Sequence, residues 1–573
     1  MSHITPKIIF VLLIFALILV FTNKDKSNII IQEEVVEKTE KVKEGYEKSN
    51  TEDNDNQDVN EIIETDDYGL DYNPVAEIKE EEIDKSLLEE IEYEVILQEG
   101  NSAKVISNES ISMRLGDRYS TTRGITTFRG NTFRDSASFG HADINKEKLE
   151  IIWELTTGSI DGWTGVGWNG QPSIVQWNED TRKLMNINED KKKKPILKEV
   201  IYGTLDGNIY FIDLDDGKYT RSSIKVPASI KGSITVDPRG YPLLYAGQGL
   251  DKVGGKAVEC GYRIFSLINQ ERLYFINGID KFAYRKWPAF DSTALIDEET
   301  DTMFICGENG LFYKIKLNTD FNLEKNILTV NPQVYKYRYK ISGNKHQGIE
   351  NSMAMYKNLA YFADNGGWLQ CIDINEMKPV WIRNITDDTD STVVLEEDED
   401  GVFLYTGCEV DKQGKKGNSY LRKIDALSGV LIWEIPYACD TILGDRPNNG
   451  GLLATPVVGK YNLDNLVIFN IARCEGFSSG LVVALDKKTG TEIWRINLTN
   501  YSWSSPVAVY TEDGTGYIIL CDSAGNMFLL EETTGNVLDK INLGANVEGS
   551  PAIFENMIVV GTRGQRIYGI KIK

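Results

Sequence analysis

Three histidines, seven cysteines and a set of loop tryptophans, amides and acids are the groups in this 573-residue chain with the chemistry to bind or transform a ligand. The histidines are His3, His141 and His346, too few and too scattered for a multi-histidine metal site, and a Ser-His-Asp arrangement would rest on His141 or His346 alone. No two cysteines are adjacent and no Cys-x-x-Cys-His occurs, so covalent haem is not indicated. Cys306, Cys371 and Cys521 read as small core residues, whereas Cys439 and Cys474 sit in loops where an exported domain could form a disulfide.

Recognition is better supplied than catalysis. Candidate binding residues are Trp163 and Trp168 in GWTGVGWNG, Glu350 and Asn351 in QGIENS, Asp364 and Asn365 in ADNGGW, Arg446 and Asn449 in GDRPNNGG, Arg473, and Trp503 in NYSWSSP. Aromatic planes beside Asn, Asp and Arg suit a carbohydrate or a peptide, and no metal site is expected among them. A second patch, Lys191 to Lys194 with Arg182 and Lys183, is either a solvated turn or a contact for an anionic surface.

These loops must be carried by repeated hairpins. In GLVVALDKKTGTEIW, Gly480 opens an apolar strand to Asp486, whose carboxylate can cap the turn, while Gly490 takes positive φ and Trp494 begins the return strand. The same Asp-to-Trp offset recurs from Asp373 to Trp381 and from Asp425 to Trp433. Inner-strand starts fall near Pro172, Ser233, Ser292, Ser352, Thr392, Thr455, Ser505 and Ser550, a spacing of propeller blades and not of solenoid turns. The fold expected is all-β: an eight-bladed propeller of four-stranded antiparallel blades. Its last repeat ends one strand short at Lys573, and the strand around Trp153 fits the gap, closing the ring. A chain begun after Leu155 should lose cooperative folding, whereas one begun near Ser120 should keep it.

The repeat resembles the quinoprotein-type (PQQ-like) propeller repeat shared by quinoprotein alcohol dehydrogenases and by the propeller lipoprotein of the outer-membrane assembly machine. FRGNTFRDSASFG, with Phe128, Arg129, Gly130, Asn131, Arg134 and Gly140, is similar to the Phe-Arg-Gly motif that precedes the first blade in such proteins. The resemblance spans residues 121–573 and implies fold more than activity. In the dehydrogenases it implies pyrroloquinoline quinone (PQQ) held between a Trp and a disulfide of adjacent cysteines, beside calcium bound by Glu, Asn and Asp. Lacking adjacent cysteines, this chain is expected to be a non-catalytic binding or scaffolding module without a cofactor. The alternative is a PQQ- and calcium-dependent oxidoreductase acting on an alcohol or sugar.

Ahead of the propeller, Ile8 to Phe21 form an unbroken apolar run flanked by lysines, with no small-x-small cleavage site behind it. Residues 1–27 are therefore expected to be an uncleaved signal anchor, placing the propeller outside the cytoplasm on a single-pass tether. Residues 28–120 read as an acidic, mostly disordered stalk, with some helix from Val75 to Leu97. Residues 31–100 alone hold a net charge of −19 against −24 for the whole chain. With the acidity in the stalk and no basic stripe, nucleic acid is not an expected partner; a monomer that binds protein or carbohydrate on its long-loop face is.

Overall fold

Four tryptophans explain why the repeat has its spacing. Trp381, Trp433 and Trp494 each leave the outermost strand of one blade and donate an indole N–H to a carbonyl in the hairpin turn of the next: Ala426 at 2.9 Å, Lys487 at 3.0 Å and Glu532 at 3.1 Å. Each ring lies on the turn glycine, Gly429, Gly490 or Gly535, where a Cβ would stand 2.7–3.0 Å from the ring. These glycines have φ of 71–75°, so both the backbone and the ring exclude a side chain. The fourth, Trp153, docks in the same way on Gly217 and donates to the Leu214 carbonyl at 2.8 Å.

The structure is a computed structural model and describes residues 85–97, 109–168, 170–444 and 447–573, all within one compact unit, Tyr72–Lys573. Eight sheets radiate from one axis, antiparallel throughout except where Ser138–Phe139 runs parallel to the inner strand of the last. Their innermost strands begin at Ser173, Thr235, Leu295, Ala354, Val394, Val457, Val507 and Ala552, each within three residues of the start expected from sequence. We number the blades one to eight in that order. Blade eight takes its outermost strand, Leu149–Thr156, from the front of the domain, paired with Arg566–Ile572.

At six of the eight seams the inner strands of neighbouring blades are tied by a belt of side chains. Gln171 N donates to Ser233 Oγ, and the pattern continues from Thr293 to Ser352, Thr392, Thr455, Ser505 and Ser550 at 2.8–3.3 Å. Inside the belt, residues 123–139 thread the central channel and plug it. Main-chain carbonyls of Thr126, Thr132, Phe133 and Ala137 accept from Val236, Met355, Leu395 and Ile553 in blades two, four, five and eight. Arg129 reaches the Pro456 and Pro506 carbonyls of blades six and seven, each at 2.7 Å. Arg134 reaches Thr293 and Met353 in blades three and four. The Phe-Arg-Gly motif is thus the stopper of the ring.

Three expectations need correction. Of the segment from Val75 to Leu97, read as helical in spacing, the described residues form one 3-10 turn, Lys85–Glu90, and then a strand, Ile91–Leu97, which pairs with Gln333–Ile341 as a fifth strand of blade three. Residues 109–120, assigned to the stalk, bury Ile111, Met113, Leu115 and Tyr119 against blades three, four and five. The lysine run is largely spent inside blade one: Lys191 bonds Asp213 and Asp216, and Lys194 bonds Asp213 and Asp215, at 2.7–2.9 Å. The expected anchor lies outside the described residues, among which no helix is long and apolar enough to cross a membrane.

Candidate functional site

Loops that lead into inner strands and turns that join second to third strands meet at one mouth of the channel. The first kind brings Lys231, Asp291, Glu350 and Asp390, each two residues before a belt residue. The second kind brings Glu308, Asn365 and Glu409. The result is a funnel floored by Phe128 of the plug, roofed by Trp168 and walled by carboxylates, with a cavity of about 40 Å³.

Six acids line or border it in two triads, Asp291–Glu308–Glu350 and Asp388–Asp390–Glu409, and within each the ligand oxygens lie within 4.8 Å of one another. Asn365 links the triads, donating to Glu350 Oε1 at 2.9 Å and to both Asp388 oxygens at 3.2 Å. Asn449 donates to Glu409 Oε2 and Asp411 Oδ1 at 3.1 Å. Three cations stand nearby at looser range. Lys231 is 3.6 Å from Asp291, Arg285 is 3.8 Å from Glu308, and Lys412 is 3.2 Å from Asp388. Two of the acids remain under-satisfied: neither Asp291 oxygen nor Glu308 Oε1 has a hydrogen-bond partner, although these residues are 8% and 2% exposed.

Burial and then mutual repulsion explain the protonation of this cluster. Burial raises Asp291 to about 6 and Asp388 to about 7, each helped by Glu350 and opposed by the nearby lysine. Glu308, Asp390 and Glu409 are pushed well above the carboxylate range by burial and then by their acidic neighbours. For Lys231, burial favours the neutral form, but Asp291, Glu308, Glu350 and Asp390 outweigh it and hold the ammonium above its ordinary value.

A carboxyl whose folded pKa is raised binds its proton more tightly in the native state, so stability is fully present below the unfolded pKa and is lost as pH rises through the folded one. In chelator, we expect unfolding free energy to fall by about 1–3 kcal/mol between pH 4 and 7, reported by thermal denaturation across that range. A flat profile would mean that the cluster is ionised in both states.

Above the funnel, Trp163, Trp168, Trp503 and Tyr501 form a continuous ridge with centroid spacings of 5.6–6.2 Å, edge-to-face between the tryptophans and tilted between Trp503 and Tyr501. Lys231 Nζ lies 4.3 Å from the Trp168 ring. Trp168 sits at φ 57°, a strained backbone for an aromatic residue.

The other sequence candidates divide. Asn351 is buried and binds the Ala363 and Thr389 carbonyls, and Asp364 caps its own turn while accepting from Tyr339 and Asn344. Both are framework to the funnel. Arg473 turns to Asn448 and stacks on Tyr501 at 4.1 Å, at the end of the ridge. Arg446 lies outside the described residues. Sequence reading missed Lys231, Asp291, Glu308, Asp388, Asp390 and Glu409, although the fixed offset before each belt residue marks Lys231, Asp291 and Asp390.

Residues 478–573 match the sequence profile of a family described as outer membrane protein assembly factor BamB. Comparison with curated proteins finds no match. Among solved structures, the quinohemoprotein alcohol dehydrogenase from Comamonas testosteroni aligns with a TM-score of 0.53 at 10% identity, covering 78% of this chain and 80% of that one. The dehydrogenase ADHIIG from Pseudomonas putida HK5 gives 0.52 at 12%, with the same coverage. BamB from Moraxella catarrhalis gives 0.45 at 13%, covering 74% and 98%. Identities this low report fold alone.

The quinone that the dehydrogenase resemblance implies is a flat three-ring tricarboxylate, and the funnel fits it poorly. Six carboxyl groups face three cations where the ligand would add three more anions. With its ring complete and its last repeats matching that family, the chain is an eight-bladed β-propeller of PQQ-like repeats, similar in fold to the quinoprotein dehydrogenases and, over residues 478–573, in sequence to the BamB family.

Proposed function

We propose that the ring is a non-catalytic binding module, held outside the cytoplasm by an N-terminal tether, whose funnel takes a hard divalent cation such as calcium. The tryptophan ridge above it then presents the loaded face to a protein or carbohydrate partner. One observation carries the reading: both buried carboxylate oxygens of Asp291, which lines the funnel, and Oε1 of Glu308 beside it have no hydrogen-bond partner. An oxygen-only donor set with flexible side chains suits calcium, which takes six to eight such ligands, better than zinc or copper. The apolar run at residues 8–21 supports the tether.

Isothermal titration of the chelator-treated protein with calcium is expected to show saturable binding. Asp388→Asn with Asp390→Asn should weaken it more than about tenfold by removing two charged ligands, while Asp513→Asn, on a distant exposed turn, should not change it. Bound calcium should also flatten the fall in stability toward pH 7. No heat and no thermal shift with millimolar calcium, magnesium or manganese would remove the cation reading. A PQQ complex that absorbs and reduces dye in the presence of an alcohol would overturn the non-catalytic one.

A further inference from the structure

Two cysteines from different blades face each other across the seam beside the funnel. Cys439 stands near the end of the outer strand Leu431–Asp440 of blade five, and Cys474 just past the second strand Leu466–Ala472 of blade six. They form an antiparallel bridge pair, and the main-chain bond beside them runs from Asp440 N to Arg473 O at 3.0 Å. The cysteines are therefore opposite one another at a non-hydrogen-bonded position, where strands bring Cα atoms to about 4.5 Å and side chains closest. A disulfide needs Cβ atoms roughly 3.5–4.5 Å apart, and this is the kind of position that supplies it. Both side chains are buried, and the Cys439 thiol donates to the Tyr437 carbonyl at 3.4 Å.

The pair stands apart from the other cysteines. Cys306 stands opposite Phe312, Cys371 opposite Tyr361 and Trp381, and Cys521 opposite Met527, so none of these faces a second cysteine across its ladder. Its position also matters for the site. The segment it closes carries Asn449, which holds Glu409 and accepts from Trp503 through its carbonyl. Arg473, beside Cys474, holds Asn448 and stacks on Tyr501.

We propose that Cys439 and Cys474 are a reversible redox pair that closes as a disulfide and clasps blades five and six beside the funnel. The oxidant is a disulfide, either a small one or that of a thiol–disulfide oxidoreductase. The Cys474 thiolate attacks one of its sulfurs and expels a thiolate; Cys439, deprotonated, then displaces the second. In sum two protein thiols lose two electrons and two protons, and the oxidant becomes two thiols. The neighbouring Cys439 thiol holds Cys474 below the ordinary thiol range, which makes it the attacking group.

The full-length protein, equilibrated with glutathione disulfide, would be denatured without reductant, alkylated, digested and mapped by mass spectrometry. We expect five alkylated cysteines of the seven and one cross-linked peptide pair joining Cys439 to Cys474. Cys474→Ser should lose that cross-link; should it fail to accumulate, the wild-type map decides alone. Dithiothreitol added to the folded protein should return seven alkylated cysteines with the circular dichroism unchanged. Seven free thiols after oxidation, or a cross-link elsewhere, would overturn the pairing, and a bond that opens only on unfolding would overturn its reversibility.

Discussion

Arg134→Ala should destabilise the ring by about 4 kcal/mol, seen as a lower urea midpoint and a fall of about 5 °C or more in Tm. The side chain is fully buried and no carboxylate contacts it. Its guanidinium instead donates to the carbonyls of Met353, Phe128 and Thr293 and to Thr127 Oγ1, at 2.8–3.0 Å. Burial lowers its pKa to about 10, so the cation is retained at neutral pH by carbonyl dipoles converging on the axis. Alanine would leave those acceptors dry and open a cavity at the centre of the plug. Arg134→Met separates the two causes: it refills most of the volume but supplies no donor, and should recover less than half of the loss. A full rescue by methionine would show that the plug acts by volume alone, and a loss below about 1 kcal/mol would show it to be passive.

What the sequence reveals about this ring follows from repetition. The Asp-Gly-Trp spacing recurs because each tryptophan must land on the turn glycine of the next blade, so one contact is written several times over and can be read without coordinates. The closing strand was legible for the same reason, since Trp153 repeats the role of Trp381. The plug and the strand Ile91–Leu97 occur once each, and their partners lie hundreds of residues away. Within IEYEVIL the apolar residues also satisfy helical spacing, and only pairing with Gln333–Ile341 decides for strand. The site was half legible. Trp163, Trp168, Glu350, Asn365 and Trp503 stood out as residue types, whereas Asp291 and Asp390 looked like ordinary loop acids, because their meaning lies in their offset from the belt. Glu308 and Glu409 carry no such mark; the turns that place them differ from blade to blade.

A chain begun at residue 157 should lose cooperative folding, and the physical reason can be tested with a single methyl group. The covalent path from blade eight to blade one runs through the strand Leu149–Thr156, so the ring is held shut by the pairing of that strand with Arg566–Ile572 and by Trp153. Trp153 lies across Gly569 of its partner strand, where a Cβ would stand 2.0 Å from the indole, and reaches Gly217 of blade one. Gly569→Ala must therefore lift the ring from its seat, at a cost of about 2–4 kcal/mol that falls on the seam. Trp153→Ala should cost about 3–5 kcal/mol. The same substitution at Trp433 removes a similar contact but leaves blades five and six joined by chain. The two should then differ in kinetics: Trp153→Ala should speed unfolding and proteolysis more than Trp433→Ala at equal loss of stability, because opening the seam frees both ends of the ring. Equal unfolding rates would place the barrier elsewhere. The structure also moves the boundary for a minimal domain. A chain begun at Ser120 would lose Ile111, Met113, Leu115 and Tyr119 from the core, together with the strand Ile91–Leu97, whereas one begun at Lys85 keeps them. The shorter chain should melt several degrees lower, since each buried side chain of this size contributes about 1.5–3 kcal/mol. Equal melting of the two would mean that the segment before the plug decorates the ring and does not hold it.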